Sequence, residues 1–222
     1  MPRPLPRPEA GPQRRRPPSG EALQTLGITR FEDLVAHLDG LTNAARRTYV
    51  EREAVDFVAT IRQRLVRINN HLAGHPFDAE PEVTPRDKTV RDTDDLIGQF
   101  GELTEAARGA GLPSTLTHYL HTARLRLRFT LRGQGGRRIV SRDERTGEAQ
   151  LRWAQGQMEV EVVDSSAYGL GVVAKNPLAE NTVVEVITEE DGRRRRYECL
   201  VVYSEQQRFQ HQIGLEIFNI KQ

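Results

Sequence analysis

The chain has 222 residues, with 32 Lys and Arg against 31 Asp and Glu, so a net charge of +1 hides whatever imbalance is local. One cysteine excludes an internal disulfide framework, and Cys199, inside the strand-like run YECLVVY, reads as buried packing rather than a reactive thiol. No long apolar run is present, which argues against a membrane-spanning helix or a signal-peptide core and favours a cytoplasmic protein.

Residues 1–20 hold seven of the twelve prolines and five arginines against one glutamate, with almost nothing apolar to bury. That composition predicts a disordered basic tail, and its cluster Arg14, Arg15 and Arg16 is read as solubilising.

From residue 21 to 132 the pattern is helical. Phe31, Leu34, Val35 and Leu38 predict a first helix over Thr29–Leu38, with Thr29 as N-cap, Glu32 completing a capping box and Gly40 marking the end. In the next helix Val50, Ala54, Phe57, Ile61, Leu65, Ile68 and Leu72 step by three and four before Gly74 and Pro76 stop the run. That apolar seam needs either the helices that follow it or a second copy of itself, so homo-oligomerisation is one of its two possible uses.

Residues 77–85, with two prolines and three acids, read as a loop. Leu96, Ile97, Phe100, Leu103 and Ala107 then mark a helix over 92–108, and Ser114 caps another through Arg128 with Leu116, Tyr119, Leu120, Ala123 and Leu127 inward. The region is expected to be a bundle of three or four helices. His71 with His75, and His118 with His121, have spacings that suit metal ligation, but no further ligand joins them, and solvated or hydrogen-bonded histidines are the preferred reading.

Residues 124–145 contain eight arginines and three glycines. Leu125, Leu127, Phe129 and Leu131 alternate with arginines, so a period of two competes with the helical one. Gly133, Gly135 and Gly136 predict a flexible hinge over 133–147. Beyond it the period is two, with strands expected at 148–153, 157–163, 170–174, 183–188, 195–203 and 211–217. Met158, Val160 and Val162 share a face, EEDG at 189–192 makes a hairpin tip, and the quartet Arg193–Arg196 opens the next strand. Six short antiparallel strands separated by turns predict a small closed or nearly closed barrel over 148–222, giving an α+β chain.

Two motifs flank this segment. Arg138 and Arg142 form R-x-x-x-R, with Arg137 beside them, and after 21 intervening residues Asp164, Ser166 and Gly169 form D-x-S-x-x-G. Planar guanidinium forks suit phosphate oxygens or the O6/N7 edge of guanine, and a carboxylate can accept from the N1–H and N2–H of guanine but not from the same edge of adenine. Gly169 falls where a turn must pass close to a ligand or take positive φ, with Ser166 a small donor and acceptor on the same turn. The plainer reading is a hairpin turn with solvated arginines.

Together the motifs, the all-β pattern and the closing IGLEIF resemble the PilZ domain, a bacterial family of cyclic di-GMP receptors, over residues 135–222. The resemblance implies that Arg137, Arg138, Arg142, Asp164, Ser166 and Gly169 bind cyclic di-GMP; with no nucleophile and base pair, no metal set and no G-x-x-x-x-G-K-[ST] loop in the sequence, neither a cofactor nor catalysis is expected. The helical region, which matches no known module, is expected to relay binding to a protein partner or to another subunit. One departure is the polar run 143–147, which would separate Arg142 from the first strand and set Asp143 and Glu144 beside it. The alternatives are nucleic-acid binding by the arginine-rich hinge, which no aromatic platform supports, and a degenerate PilZ-like module without nucleotide.

Overall fold

A computed structural model describes residues 26–76, 78–129, 143–190 and 192–221 of the chain. The tail predicted at 1–20 and the glycine hinge at 133–136 lie outside them.

Four helices come first, α1 (Phe31–Ala45), α2 (Arg52–Ala73), α3 (Thr93–Gly109) and α4 (Ser114–Phe129). Six strands follow, β1 (Asp143–Trp153), β2 (Gly156–Ser166), β3 (Gly169–Ala174), β4 (Val183–Glu190), β5 (Arg193–Gln207) and β6 (Gln210–Lys221). No helix among the described residues is long and apolar enough to cross a membrane.

The start of α1 differs from the expected capping box. Its reciprocal acid is Asp33 rather than Glu32: the Asp33 carboxylate accepts from the Thr29 N–H at 3.0 Å, the Thr29 hydroxyl at 2.8 Å and the Arg30 N–H at 3.2 Å. Those bonds, led by the one from the Thr29 backbone, hold its carboxyl below the usual range. Nor does Gly40 end the helix. The loop before α3 crosses here, with the Arg86 N–H donating to the Ala36 carbonyl at 2.9 Å. A Cβ at Gly40 would stand 2.0 Å from the Arg86 carbonyl oxygen, so this glycine serves a close backbone approach.

α2 follows the expected seam and stops at Gly74, whose φ of 68° is the left-handed C-cap that favours glycine. Ala54, Ile61, Leu65 and Ile68 are fully buried within the chain, while Leu72 stays 41% exposed. Of the two uses the spacing allows, the seam is taken up inside this molecule, against α1, α4 and the barrel. α3 opens at Asp92, whose carboxylate accepts from the Asp95 N–H at 2.8 Å. α4 decides the ambiguous stretch in favour of helix as far as Phe129, with Ala123 and Leu127 buried.

The strands close in the order β1-β2-β3-β6-β5-β4, every neighbouring pair antiparallel. Closure removes the free edges that a six-stranded open sheet would expose. The interior is filled by the inward set of the period-two pattern, including Leu151, Val160, Val162, Val172, Val186, Cys199, Val201, Ile213 and Leu215. Cys199 is fully buried, and burial pushes its thiol well above the ordinary value, in keeping with a packing role. The quartet Arg193–Arg196 pairs in register with Glu190, Glu189, Thr188 and Ile187 of β4.

The helices are not separate from the barrel. Leu200 of β5 and Phe218 of β6, which face outward, belong to the same apolar cluster as Leu34, Ile61, Phe100 and Leu120 of the helices. One side of the barrel's outer surface is therefore the floor of the helical core.

Candidate functional site

The D-x-S-x-x-G motif spans the turn from β2 to β3. Ser166, the last residue of β2, braces it from inside: its hydroxyl accepts from the Tyr168 N–H at 3.3 Å and donates to the Gly169 carbonyl at 3.4 Å. The turn is tied to β6 as well, because the Ile217 N–H donates to the Tyr168 carbonyl at 2.9 Å. Gly169 is buried, pairs with Ser166 on one side and Glu216 on the other, and does not adopt the positive φ considered for it.

The close approach is made instead at Gly171. A Cβ there would lie 2.6 Å from Asp164 Oδ1 and 2.9 Å from Oδ2, so the carboxylate rests directly over this glycine. Its outward aim comes from an irregularity. Val162 pairs with Val172 and points inward; the register then shifts, and Asp164 pairs with Gly171 on the outer face. A bulge of this kind bends the strand and re-aims the next side chain.

The row continues across the sheet. Gly171 pairs with Gly214, and Gly214 with Tyr203 after a second register shift between Val201 and Tyr203. A Cβ at Gly214 would come 2.1 Å from Tyr203 Cε1 and 2.6 Å from its Cδ1 and Cζ, so the ring occupies the space above that glycine. At its other end the row reaches Glu144 of β1.

The neighbouring outer row runs Ser166, Gly169, Glu216, Leu200. Glu216 is only 2% exposed and gathers three groups from the helices. Arg64 Nη1 of α2 lies 2.7 Å from Oε2, the Tyr119 hydroxyl of α4 donates to the same oxygen at 3.3 Å, and Arg126 of α4 pairs with Oε1. Burial, then the charge of Glu216, pushes the Tyr119 phenol far above its ordinary value, so it stays a donor. Nothing in the sequence marked Glu216, because an acid between Leu215 and Ile217 reads as a solvated residue of an alternating strand.

A cleft of about 570 Å³ opens farther along, between the C-terminal end of α2 and the barrel, lined by His71, His75, Arg152, Trp153, Glu198 and Lys221 among others. Here His71 Nε2 lies 3.2 Å from Glu198 Oε1. Among the described residues no cluster of three or more His, Cys, Asp or Glu is arranged to hold a metal ion.

The structure thus places Asp164 and Ser166 at the end of β2 and Gly169 at the start of β3, on either side of one turn. Arg137, Arg138 and Arg142 lie outside the described residues. The expected spacing before the first strand is corrected: β1 begins at Asp143 rather than Glu148, and the polar run forms its first part, with an irregularity between Glu144 and Gly147. The register pairs Asp143 with Ser165 and Glu144 with Asp164.

In class, this part of the chain is a closed six-stranded antiparallel barrel with a D-x-S-x-x-G segment at the β2–β3 turn. No family model and no curated protein matches the chain. Among solved structures, it is similar to the Bacillus subtilis inhibitor of motility MotI/DgrA at 20% identity, covering 38% of this chain and 44% of that one with a TM-score of 0.34. It is likewise similar to the PilZ domain of CeSA from a cellulose-synthesizing bacterium at 20% identity, covering 36% of this chain and 83% of that one with a TM-score of 0.30. The chain therefore spans less than half the length of the motility inhibitor.

Proposed function

We propose that the chain is a cytoplasmic bacterial receptor for cyclic di-GMP, with the dinucleotide held between the arginine motif and the β2–β3 turn, and that it acts by binding rather than by catalysis. The observation that carries this reading is a register. β1 starts one peptide bond after Arg142, and its first two residues pair with Ser165 and Asp164. The segment that follows the arginine motif in sequence therefore pairs with the strand that carries Asp164. In this reading Arg137, Arg138 and Arg142 take phosphate or guanine edges and Asp164 reads the guanine N1–H and N2–H. Ser166 and Gly169 shape the turn that presents them.

The same reading supplies a route to the helices. Gly169 sits on a shared rung with Glu216, whose carboxylate is held by Arg64, Tyr119 and Arg126. A ligand that favours one position of the turn would bias that clamp, and through it the helical surface offered to a protein partner, provided it binds the two positions unequally.

Calorimetry with cyclic di-GMP tests the proposal. Wild-type chain should bind, and Arg138→Ala and Arg142→Ala should each remove most of the affinity, since losing a charge-assisted contact in a desolvated site costs about 2 to 5 kcal/mol. Wild-type-like affinity in both variants would overturn it.

A further inference from the structure

The row Asp164, Gly171, Gly214, Tyr203 has a chemistry that the turn motif leaves unused. Its middle two positions are glycines on adjacent strands, and the side chains at its ends lean inward over them. Paired residues of an antiparallel sheet hold their Cβ atoms about 5 Å apart. A carboxylate over one glycine and an aromatic ring over the next thus lie side by side on the outer face. Both ends were turned outward by register shifts, at Val162/Asp164 and at Val201/Tyr203, and such bulges concentrate beside functional sites.

Tyr203 is neither buried nor free-standing. The residue keeps an intermediate exposure, while Gly171 and Gly214 beneath are buried. On one side of the row lies the helix-covered rung with Glu216, and on the other the outward rung Glu161, Val173, Gln212, Glu205. The surface is therefore bounded along the strands by the helices and open the other way.

Resting on the cyclic di-GMP reading, we propose that Tyr203 is the stacking platform for one guanine of the ligand, which lies against the ring with its N1–H and N2–H edge turned to Asp164. Stacking accepts any base because every base has a π-face, whereas the adjoining carboxylate selects guanine. The platform raises affinity and the carboxylate confers the choice. Two glycines are required because a side chain at either would stand where the ring or the carboxylate now lies.

A structural role must be separated from this one, since an aromatic side chain can simply cover a glycine on a neighbouring strand. The test uses the full chain with cyclic di-GMP, Tyr203→Phe and Tyr203→Leu, read by calorimetry and by the proton resonance of guanine H8. Tyr203→Phe keeps the ring and should bind within about threefold of wild type. Tyr203→Leu keeps an apolar cover without a π-face and should bind roughly ten- to a hundredfold more weakly, the range expected for one stacked base. Guanine H8 should move upfield on binding to wild type and to Tyr203→Phe, and not on binding to Tyr203→Leu.

If wild type binds with no upfield shift, or Tyr203→Leu binds as well as wild type, Tyr203 only covers Gly214 and the inference fails while the receptor reading stands. If wild type does not bind at all, both fail. The shift in the wild-type complex decides the matter even if Tyr203→Leu does not fold.

Discussion

Two carboxylates on the barrel's outer face are covered by the helices, Glu216 and Glu198, and they are neutralised in different ways. Glu216 meets two guanidinium groups and a phenol, Arg64 and Arg126 being 13% and 27% exposed on their side chains and Tyr119 almost fully buried. Glu198 meets His71 and Lys221, which are 39% and 52% exposed, and accepts from Asn219 at 2.7 Å. The first set closes a buried carboxylate between two planar guanidinium groups, and the second sets its carboxylate at the lip of an open cleft. Near the turn the contact between helices and barrel is thus a fixed ionic clamp, while near the end of α2 it depends on conditions.

The largest effect should come from breaking the clamp. Glu216→Gln leaves Arg64 and Arg126 without a buried counter-charge and should cost about 3 to 5 kcal/mol in urea unfolding, the range for stripping one partner from a buried pair. A loss below about 1 kcal/mol would show that water screens this cluster despite its burial.

Changing Gly214 to Val should cost less, about 1 to 3 kcal/mol, because its Cβ would come 2.1 Å from the Tyr203 ring. Calorimetric unfolding of this variant and of the double change Gly214→Val with Tyr203→Ala would sharpen the point. The second change should recover part of the loss if the ring is what the added side chain strikes.

The open cluster should show itself in acid. The hydrogen bond from His71, outweighing burial and reinforced by Lys221 and Asn219, lowers the Glu198 carboxyl from 4.5 to about 2. A carboxyl depressed on folding gives stability that is complete above its unfolded value and lost as pH falls through the folded one. Wild type should therefore lose stability between about pH 4.5 and 2, and Glu198→Gln should flatten that slope without changing the clamp. Equal slopes in urea midpoints across this range would remove Glu198 from the acid response.

The smallest effect provides the baseline. Arg52 and Asp56 form an i,i+4 pair at 3.5 Å with side chains 93% and 64% exposed, and Arg52→Ala should change stability by no more than about 0.5 kcal/mol.

Much of the architecture was legible because it follows from period. The seam Ala54, Ile61, Leu65, Ile68 found α2, and the alternation Val160, Val162 found β2 and its inward face. The glycine row is hidden by bulges. Counting by two from Val162 aims Asp164 into the barrel, and only the register shift that follows turns it outward over Gly171. The same count from Val201 gives Tyr203 the wrong face, so the glycine row and its aromatic end had no sequence signal. Glu216 was hidden differently. The alternation Leu215, Ile217 leaves it on the outer face, but that face is covered by helices from far earlier in the chain, and no local pattern reports a cover of that kind. Gly40 looked like a helix end because a glycine that permits a crossing loop and one that terminates a helix are the same letter.

The sharing of one apolar cluster between helices and barrel has a consequence for how the chain acquires its structure. The helical segments are made first, yet their core is completed by Leu200 and Phe218, and their buried arginines find Glu216 only on β6. β6 also pairs with β3 and β5 to seal the barrel. During synthesis the helices must therefore wait, with apolar surface exposed, until the last strand has left the ribosome. Chains stopped before β6 should be bound by chaperones or degraded rather than accumulate as a folded helical fragment.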